Sequence, residues 1–220
     1  MNNQDFEAYA KLKPFNTKIA DTWLVVALEA VNGLGGSVEK LCLLDYGCGD
    51  GKYFSAFVSQ GFVSNHIYGV EVSKNRIARC NEIGWQNVEL LVPNAPLPFA
   101  DGKFDLINMM EVIEHILASE GECILEELRR VLKPGGYLLI STPNYPIKRF
   151  YDIFNAIVYR MHVRWKDDPT HVTKFNYNRL ETLLMRHFAS VESRVFKPGF
   201  LYNRFPYPFF QHKLFFLCRA

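Results

Sequence analysis

The sequence predicts an α/β fold, a parallel sheet with helices on both faces, and three observations predict it. Apolar runs of strand length recur at Leu41–Leu44, Ile67–Val72, Val88–Val92, Phe104–Met109 and Tyr137–Ser141, separated by helical or irregular crossovers. Parallel neighbours need such crossovers, because no hairpin can join them. The first run is apolar throughout rather than alternating, as expected of a strand buried on both faces. It leads directly into a Gly-rich loop, Asp45–Gly51, after which a helix begins.

Taken in order, the elements are these. Phe15–Val31 carries Ile19, Trp23, Val26, Ala27 and Ala30 at helical spacing, and Asn32–Gly33 followed by Gly35–Gly36 stops it. Residues 1–36 therefore read as an N-terminal helical cap. Lys52–Gln60 is a helix closed by Gly61, and Ser73 can cap another that runs to Gly84. Ser119 and Glu122 have the spacing of a capping box, opening a helix to Leu132 before the turn Lys133-Pro134-Gly135-Gly136. After Pro143 the alternation breaks. Asn144–Phe175 is aromatic and basic, Tyr177–His187 reads as a helix, and Val191–Phe196 and Leu214–Arg219 read as strands around an aromatic stretch, Phe200–Phe210. The expectation is a single domain over 1–220, with 144–175 and 197–213 as insertions that shape a substrate pocket.

Composition narrows the class. A chain of 220 residues holds one sizeable core but not comfortably two. With 49% hydrophobic and 22% charged residues it is ordinary for a soluble globular domain, and a net charge of +2 makes no case for nucleic acid or a membrane surface. The apolar run Leu24–Leu28 stops at Glu29, too short to span a bilayer, and Met1–Ala10 has no apolar core of a signal peptide. Cys42, Cys48, Cys80, Cys123 and Cys218 are odd in number and include no C-x-x-C pair, so they read as reduced thiols and a cytoplasmic location is expected.

The loop Asp45-Tyr-Gly-Cys-Gly-Asp-Gly51 carries the functional reading. A dinucleotide fingerprint is G-x-G-x-x-G. Here the glycines are Gly47, Gly49 and Gly51, and Lys52 holds the sixth position. A pyrophosphate wants bare N–H groups at a helix N-terminus, without a carboxylate beside them. Asp45 suits instead a cationic ligand, one with an α-amino group and a sulfonium. Glu71 ends the second strand, where an acid can accept both ribose hydroxyls of an adenosine ligand. The bland alternatives are a tight strand–helix turn and a surface Glu.

With LLDYGCGDG (Leu43–Gly51), GVEVS (Gly69–Ser73), LPFADGKFD (Leu97–Asp105), EVIEH (Glu111–His115) and LRRVLKPGGYLLISTPN (Leu128–Asn144) in this order and spacing, the sequence resembles the class I S-adenosylmethionine-dependent methyltransferases over about half the chain. The resemblance implies a doubly wound, Rossmann-like sheet of seven strands, mostly parallel, with the last strand antiparallel. It implies S-adenosylmethionine as methyl donor, with Asp45, Gly47, Cys48 and Gly49 around its methionine part, Glu71 on the ribose and Val72 on the adenine. Asn94 and Ala95 stand where the family usually has an acid for the adenine amino group. Asn94 departs from that pattern, although its side-chain carbonyl can accept the same bond. Met109 and Glu111 would lie near the transferring methyl.

Methyl transfer from a sulfonium is an in-line displacement, and the protein mainly aligns the reactants. Glu111, Glu114 and His115 share one face if their segment is helical, and Asp168-Pro169-Thr170-His171 supplies a second imidazole. Glu111, His115 and His171 are the candidate catalytic groups. With Glu114 they are also candidate ligands for a divalent cation such as Mg. The arrangement is similar to that of two branches of the family, the ubiquinone-biosynthesis O-methyltransferases and the small-RNA 3′-end 2′-O-methyltransferases. Purely structural hydrogen bonding is the alternative.

The acceptor is expected to be a small molecule, a glycan or a lipid precursor, probed by Lys148, Arg149, Arg160, Arg164 and Lys166 beside Tyr145, Tyr151, Tyr159 and Trp165, or to be RNA stacked on the aromatics. The bland reading of that set is a solvated helical face with its apolar side packed on the sheet. Phe205, Tyr207, Phe209 and Phe210 read as core or as a hydrophobic pocket. Low net charge argues against RNA. A non-catalytic S-adenosylmethionine-binding module is the reading from another class.

Overall fold

A computed structural model describes residues 21–159, 168–195 and 203–220. Seven strands form one sheet: β1 (Leu43–Tyr46), β2 (Ile67–Glu71), β3 (Val88–Leu90), β4 (Phe104–Met110), β5 (Leu132–Pro143), β6 (Ser190–Ser193) and β7 (Lys213–Arg219). Their order is β3-β2-β1-β4-β5-β7-β6. β1 to β5 are parallel, while β7 runs antiparallel to both β5 and β6. The helices are α1 (Asp21–Leu34), α2 (Phe54–Ser59), α3 (Lys74–Glu82), α4 (Gly121–Val131), α5 (Ile147–Tyr159) and α6 (Tyr177–Met185).

The strands alternate between two cores, because successive side chains point to opposite faces. Leu44, Tyr46, Ile107 and Met109 face Leu125 and Leu128 of α4 and Leu180 and Leu184 of α6. Leu43, Leu106 and Met110 face Trp23 of α1 and Phe54 and Phe57 of α2. Burying a side chain of this size contributes about 2 kcal/mol, so each face anchors its helices firmly. Trp23, Val26, Ala27 and Ala30 are all buried, as their spacing predicts, and α1 runs one residue past Gly33. Ile19 lies outside the described residues.

Ser73 caps α3 as expected, its side chain accepting from the Arg76 N–H. The predicted capping box does not form. α4 opens at Gly121 with Glu120 as its cap residue, in helical rather than extended conformation, and no side chain caps it. Glu122 pairs instead with Arg186 of the following helical layer. β5 begins five residues before the predicted strand. A register shift between Phe104 and Leu106 lets Leu132 pair with Phe104, and Gly135 turns with φ +78 to donate to the Ala220 carbonyl. The Lys133–Gly136 turn is thus absorbed into the strand as a bulge.

α5 occupies the segment that fits no repeat. Tyr151 is buried, but Phe150 and Ile157 are 48% and 74% exposed, so the apolar side of this helix is not packed away as the bland reading expects. Arg160, Arg164, Trp165, Lys166 and Phe200 lie outside the described residues. Phe205, Tyr207 and Phe209 are exposed, not core, and they stack on one another and on Phe210. Among the described residues no helix is long and apolar enough to cross a membrane. All five cysteines are free thiols.

Candidate functional site

Strand order reverses at β1, which pairs with β2 on one side and β4 on the other. The region beyond the carboxyl ends of these strands is the usual place for a ligand in such sheets. Gly47, Gly49 and Gly51 take φ of +75, +59 and +73 there, which L side chains rarely adopt. Space enforces the same choice. A Cβ on Gly47 would meet Val112 Cγ2 at 2.6 Å, and one on Gly49 would meet Arg76 Nη1 at 2.7 Å. The loop is held by its own amides: Gly47 and Cys48 donate to the Val70 carbonyl, and Gly51 donates to the Cys48 carbonyl.

Asp45 is 2% exposed at the end of β1. Its Oδ1 accepts from Asn108 Nδ2 at 2.7 Å, while Oδ2 is buried without a partner. Burial pushes its pKa up to about 7, against the lowering effect of the Asn108 bond. An unpartnered buried carboxylate oxygen is costly, and a bound cationic donor would relieve it. Sequence reasoning missed Asn108, although an Asn inside the apolar run Phe104–Met109 was a visible signal. Behind it, Trp23 Nε1 donates to Asn108 Oδ1 at 2.9 Å.

Glu71 is also buried. One oxygen accepts from the Gly49 N–H at 2.8 Å and the other from the Ser73 N–H at 3.0 Å. The carboxylate therefore stitches the Gly-rich loop to the tip of β2, a role its position alone did not disclose. Burial raises its pKa in spite of these bonds. Cys48 turns its thiol into the core against Cys80, and its pKa stands well above the ordinary thiol value because of that neighbour and its burial. Val72 is half-buried beside Glu71. Asn94, at φ 63, is exposed with Ala95 and donates from its amide to Glu120. Met109 is fully buried in the core on the α4 side of the sheet, whereas Asp45 and Asn108 face the other side.

A second group of polar side chains gathers where β4, β5 and residues 168–175 meet. Glu111 takes φ 59, its carboxylate accepting from Ser141 Oγ at 2.9 Å and from Lys213 Nζ at 2.5 Å. Glu114 is 1% exposed and accepts from Thr142 Oγ1 at 2.9 Å, and its other oxygen has no partner. Burial, with the charge of Glu111, pushes its pKa up to about 8. His115 Nδ1 lies 3.0 Å from the Thr170 carbonyl, so that nitrogen carries the proton. His171 Nδ1 lies 3.1 Å from Tyr145 Oη, and the two imidazoles meet edge to face at 4.9 Å. Burial and the neighbouring His115 lower the His171 pKa. Glu114, His115 and His171 bring ligand atoms within 4.8 Å of one another. Glu111, the fourth predicted ligand, is turned to Lys213 and Ser141 instead. Thr142 and Lys213 were not legible as site residues, because only the folded chain brings them to this point, and Tyr145, expected beside the acceptor, is found against His171.

Residues 44–140 match the family described as methyltransferase domain. Together with the fold and the motif blocks, this match supports a class I S-adenosylmethionine-dependent methyltransferase. Among curated proteins it is 32% identical over 108 residues to a demethylmenaquinone methyltransferase of Bacillus velezensis, covering 47% of this chain and 46% of that protein. It is 28% identical to the demethylmenaquinone methyltransferase of Listeria monocytogenes over 74% and 71% of the two chains. The chain spans about half the length of the first two curated relatives. In fold it is similar to a SAM-dependent methyltransferase of Archaeoglobus fulgidus, with TM-score 0.63, 17% identity and coverage of 90% and 93%.

Proposed function

We propose that the protein transfers a methyl group from S-adenosylmethionine to a hydroxyl of a small-molecule, glycan or lipid-precursor acceptor. The observation that carries this reading is Asp45: a buried acid, with one oxygen left over, beside a Gly-rich loop at the switch point of the sheet. In this reading Asp45 meets the cationic end of the donor, and Gly47, Cys48 and Gly49 line its methionine part. The Glu71 carboxylate accepts backbone bonds from Gly49 and Ser73, and a carboxylate has further acceptor capacity for a ribose hydroxyl. Val72, Asn94 and Ala95 border the adenine, and Met109 contributes only backbone at the tip of β4. The relatives' named acceptor, demethylmenaquinone, supports a small molecule.

His171 supports attack by oxygen. Its lowered pKa keeps the imidazole neutral at pH 7, so it can take the hydroxyl proton as the acceptor attacks. His115, anchored through Nδ1 to Thr170, holds it from the side, and Glu111 keeps Lys213 at the mouth of the site. The unpartnered Glu114 oxygen favours a second reading, in which Glu114, His115 and His171 hold a divalent cation that would lower the pKa of the acceptor hydroxyl. The test is label transfer from S-adenosylmethionine into metabolite and lipid-precursor pools, with and without EDTA, alongside thermal midpoints with S-adenosylhomocysteine and NAD. A rise in midpoint with the adenosyl ligand and labelled product is expected. A response to NAD alone overturns the proposal, and full activity in EDTA removes the cation.

A further inference from the structure

We infer that Trp23 and Asn108 are positioning residues for the methyl donor: they fix the hydrogen-bonding face of Asp45 from behind and so couple helix α1 to donor affinity. The inference rests on Asp45 being the donor-binding acid. An indole N–H can only donate, so the Asn108 atom 2.9 Å from Trp23 Nε1 must be its carbonyl oxygen. The amide nitrogen then necessarily faces Asp45 and donates to Oδ1 at 2.7 Å. A flipped Asn108 would set N–H against N–H at the indole and carbonyl against carboxylate at Asp45. The chain of bonds thus has one direction, and it leaves Oδ2 as the oxygen for a ligand.

Nothing in this chain can easily turn. Trp23 and Asn108 are 0% exposed and Asp45 is 2% exposed. Asn108 is the register partner of Asp45 across β1 and β4, so the sheet itself sets their separation. Tyr53 and Phe57, from the segment that follows the Gly-rich loop, clamp the Trp23 ring at 4.6 and 5.0 Å. The titratable groups around Asp45 are the Glu71 carboxylate of β2, the Cys48 thiol of the loop and the Tyr53 hydroxyl before α2. α1 and β4 present the neutral indole and the neutral amide. The Asn108 donor is therefore what favours the ionised acid against burial and Glu71.

Loss of that donor raises the pH at which Asp45 ionises. Donor affinity then falls most at pH values below that at which the wild-type acid ionises and least where it is fully ionised. The experiment is calorimetric titration of the full chain with S-adenosylhomocysteine from pH 6 to 9, for wild type, Asn108→Leu, Trp23→Phe and Asp45→Asn. The ligand's own titration is common to all four. For Trp23→Phe and Asn108→Leu, affinity is expected to drop about tenfold at pH 6.5 and to stay within about twofold at pH 9, because one pKa unit is tenfold in the ionised fraction. Trp23→Phe keeps the ring that packs on Tyr53 and Phe57, and it carries the test if Asn108→Leu does not fold. A loss equal at both pH values, or no loss, overturns the inference while Asp45→Asn still tests the donor site. A wild type that binds no adenosyl ligand overturns the donor reading and this inference together.

Discussion

Glu111 has φ 59, a region in which a side chain with a Cβ is strained. Three bonds hold it there: its N–H donates to the Ser141 carbonyl, and its carboxylate accepts from Ser141 Oγ and Lys213 Nζ. Strain of this kind persists only where the surroundings over-determine it, and it gathers at functional sites. Truncation separates the two contributions. Both Glu111→Ala and Glu111→Gly lose the carboxylate, but glycine also relieves the backbone. Glu111→Gly is therefore expected to be more stable than Glu111→Ala by about 1 kcal/mol in urea unfolding. Equal stabilities would mean that no strain is held at this position. The acid itself was legible from its place in EVIEH, but its conformation was not, because that depends on β5 and β7.

At the scale of elements, local chemistry decided some helix ends and tertiary contacts decided others. Ser73 caps α3 as its position suggests. Asn176 caps α6, its side chain accepting from the Arg179 N–H at 2.9 Å. Asn176→Ala is expected to cost about 1 kcal/mol of unfolding free energy while leaving donor binding unchanged, read by urea denaturation beside calorimetry. Ser119 fails as a cap because α4 begins two residues later, where Gly121 and Leu125 reach the core and Glu122 finds Arg186. A burial pattern outweighs a single side-chain bond. The early start of β5 has the same origin: Lys133 binds Asp105, and Gly136 fits against the Asp105 carbonyl where a Cβ would approach to 2.9 Å.

For the whole molecule, the buried Asp45 carboxyl stores an electrostatic cost. Asp45 is about 7 in the folded chain, far above its ordinary value, so between the two the folded state holds more protons than the unfolded one. Unfolding free energy therefore falls as pH rises through that window. The lowered values of His171 and His212 act oppositely, but only below the ordinary histidine range. Glu114, at about 8, acts in the same direction as Asp45. Between pH 6.5 and 8 the unliganded protein is thus expected to lose stability, with Asp45 alone accounting for about 1 kcal/mol. Urea unfolding of wild type and Asp45→Asn at both pH values measures this, and an equal fall in the two would refute it. In the proposed function, a cationic donor beside Asp45 would lower that cost and so link donor binding to stability.

The sequence by itself determined the class of this protein. The strand–crossover rhythm, the glycine spacing of Asp45–Gly51 and the acid at the tip of β2 are local features, and local features survive in one dimension. It also determined the buried face of α1, Trp23, Val26, Ala27 and Ala30, because burial follows periodicity, but not that Phe205, Tyr207 and Phe209 stay exposed. Tertiary structure alone decided what each acid does. Glu71 fastens the loop to β2, Asp45 is held by an amide on a neighbouring strand and an indole on a distant helix, Glu111 is taken by Lys213, and Glu114 gathers two imidazoles. Hydrogen-bond partners far apart in the chain meet only when the sheet is ordered, and the ordering of β1 between β2 and β4 brought them together.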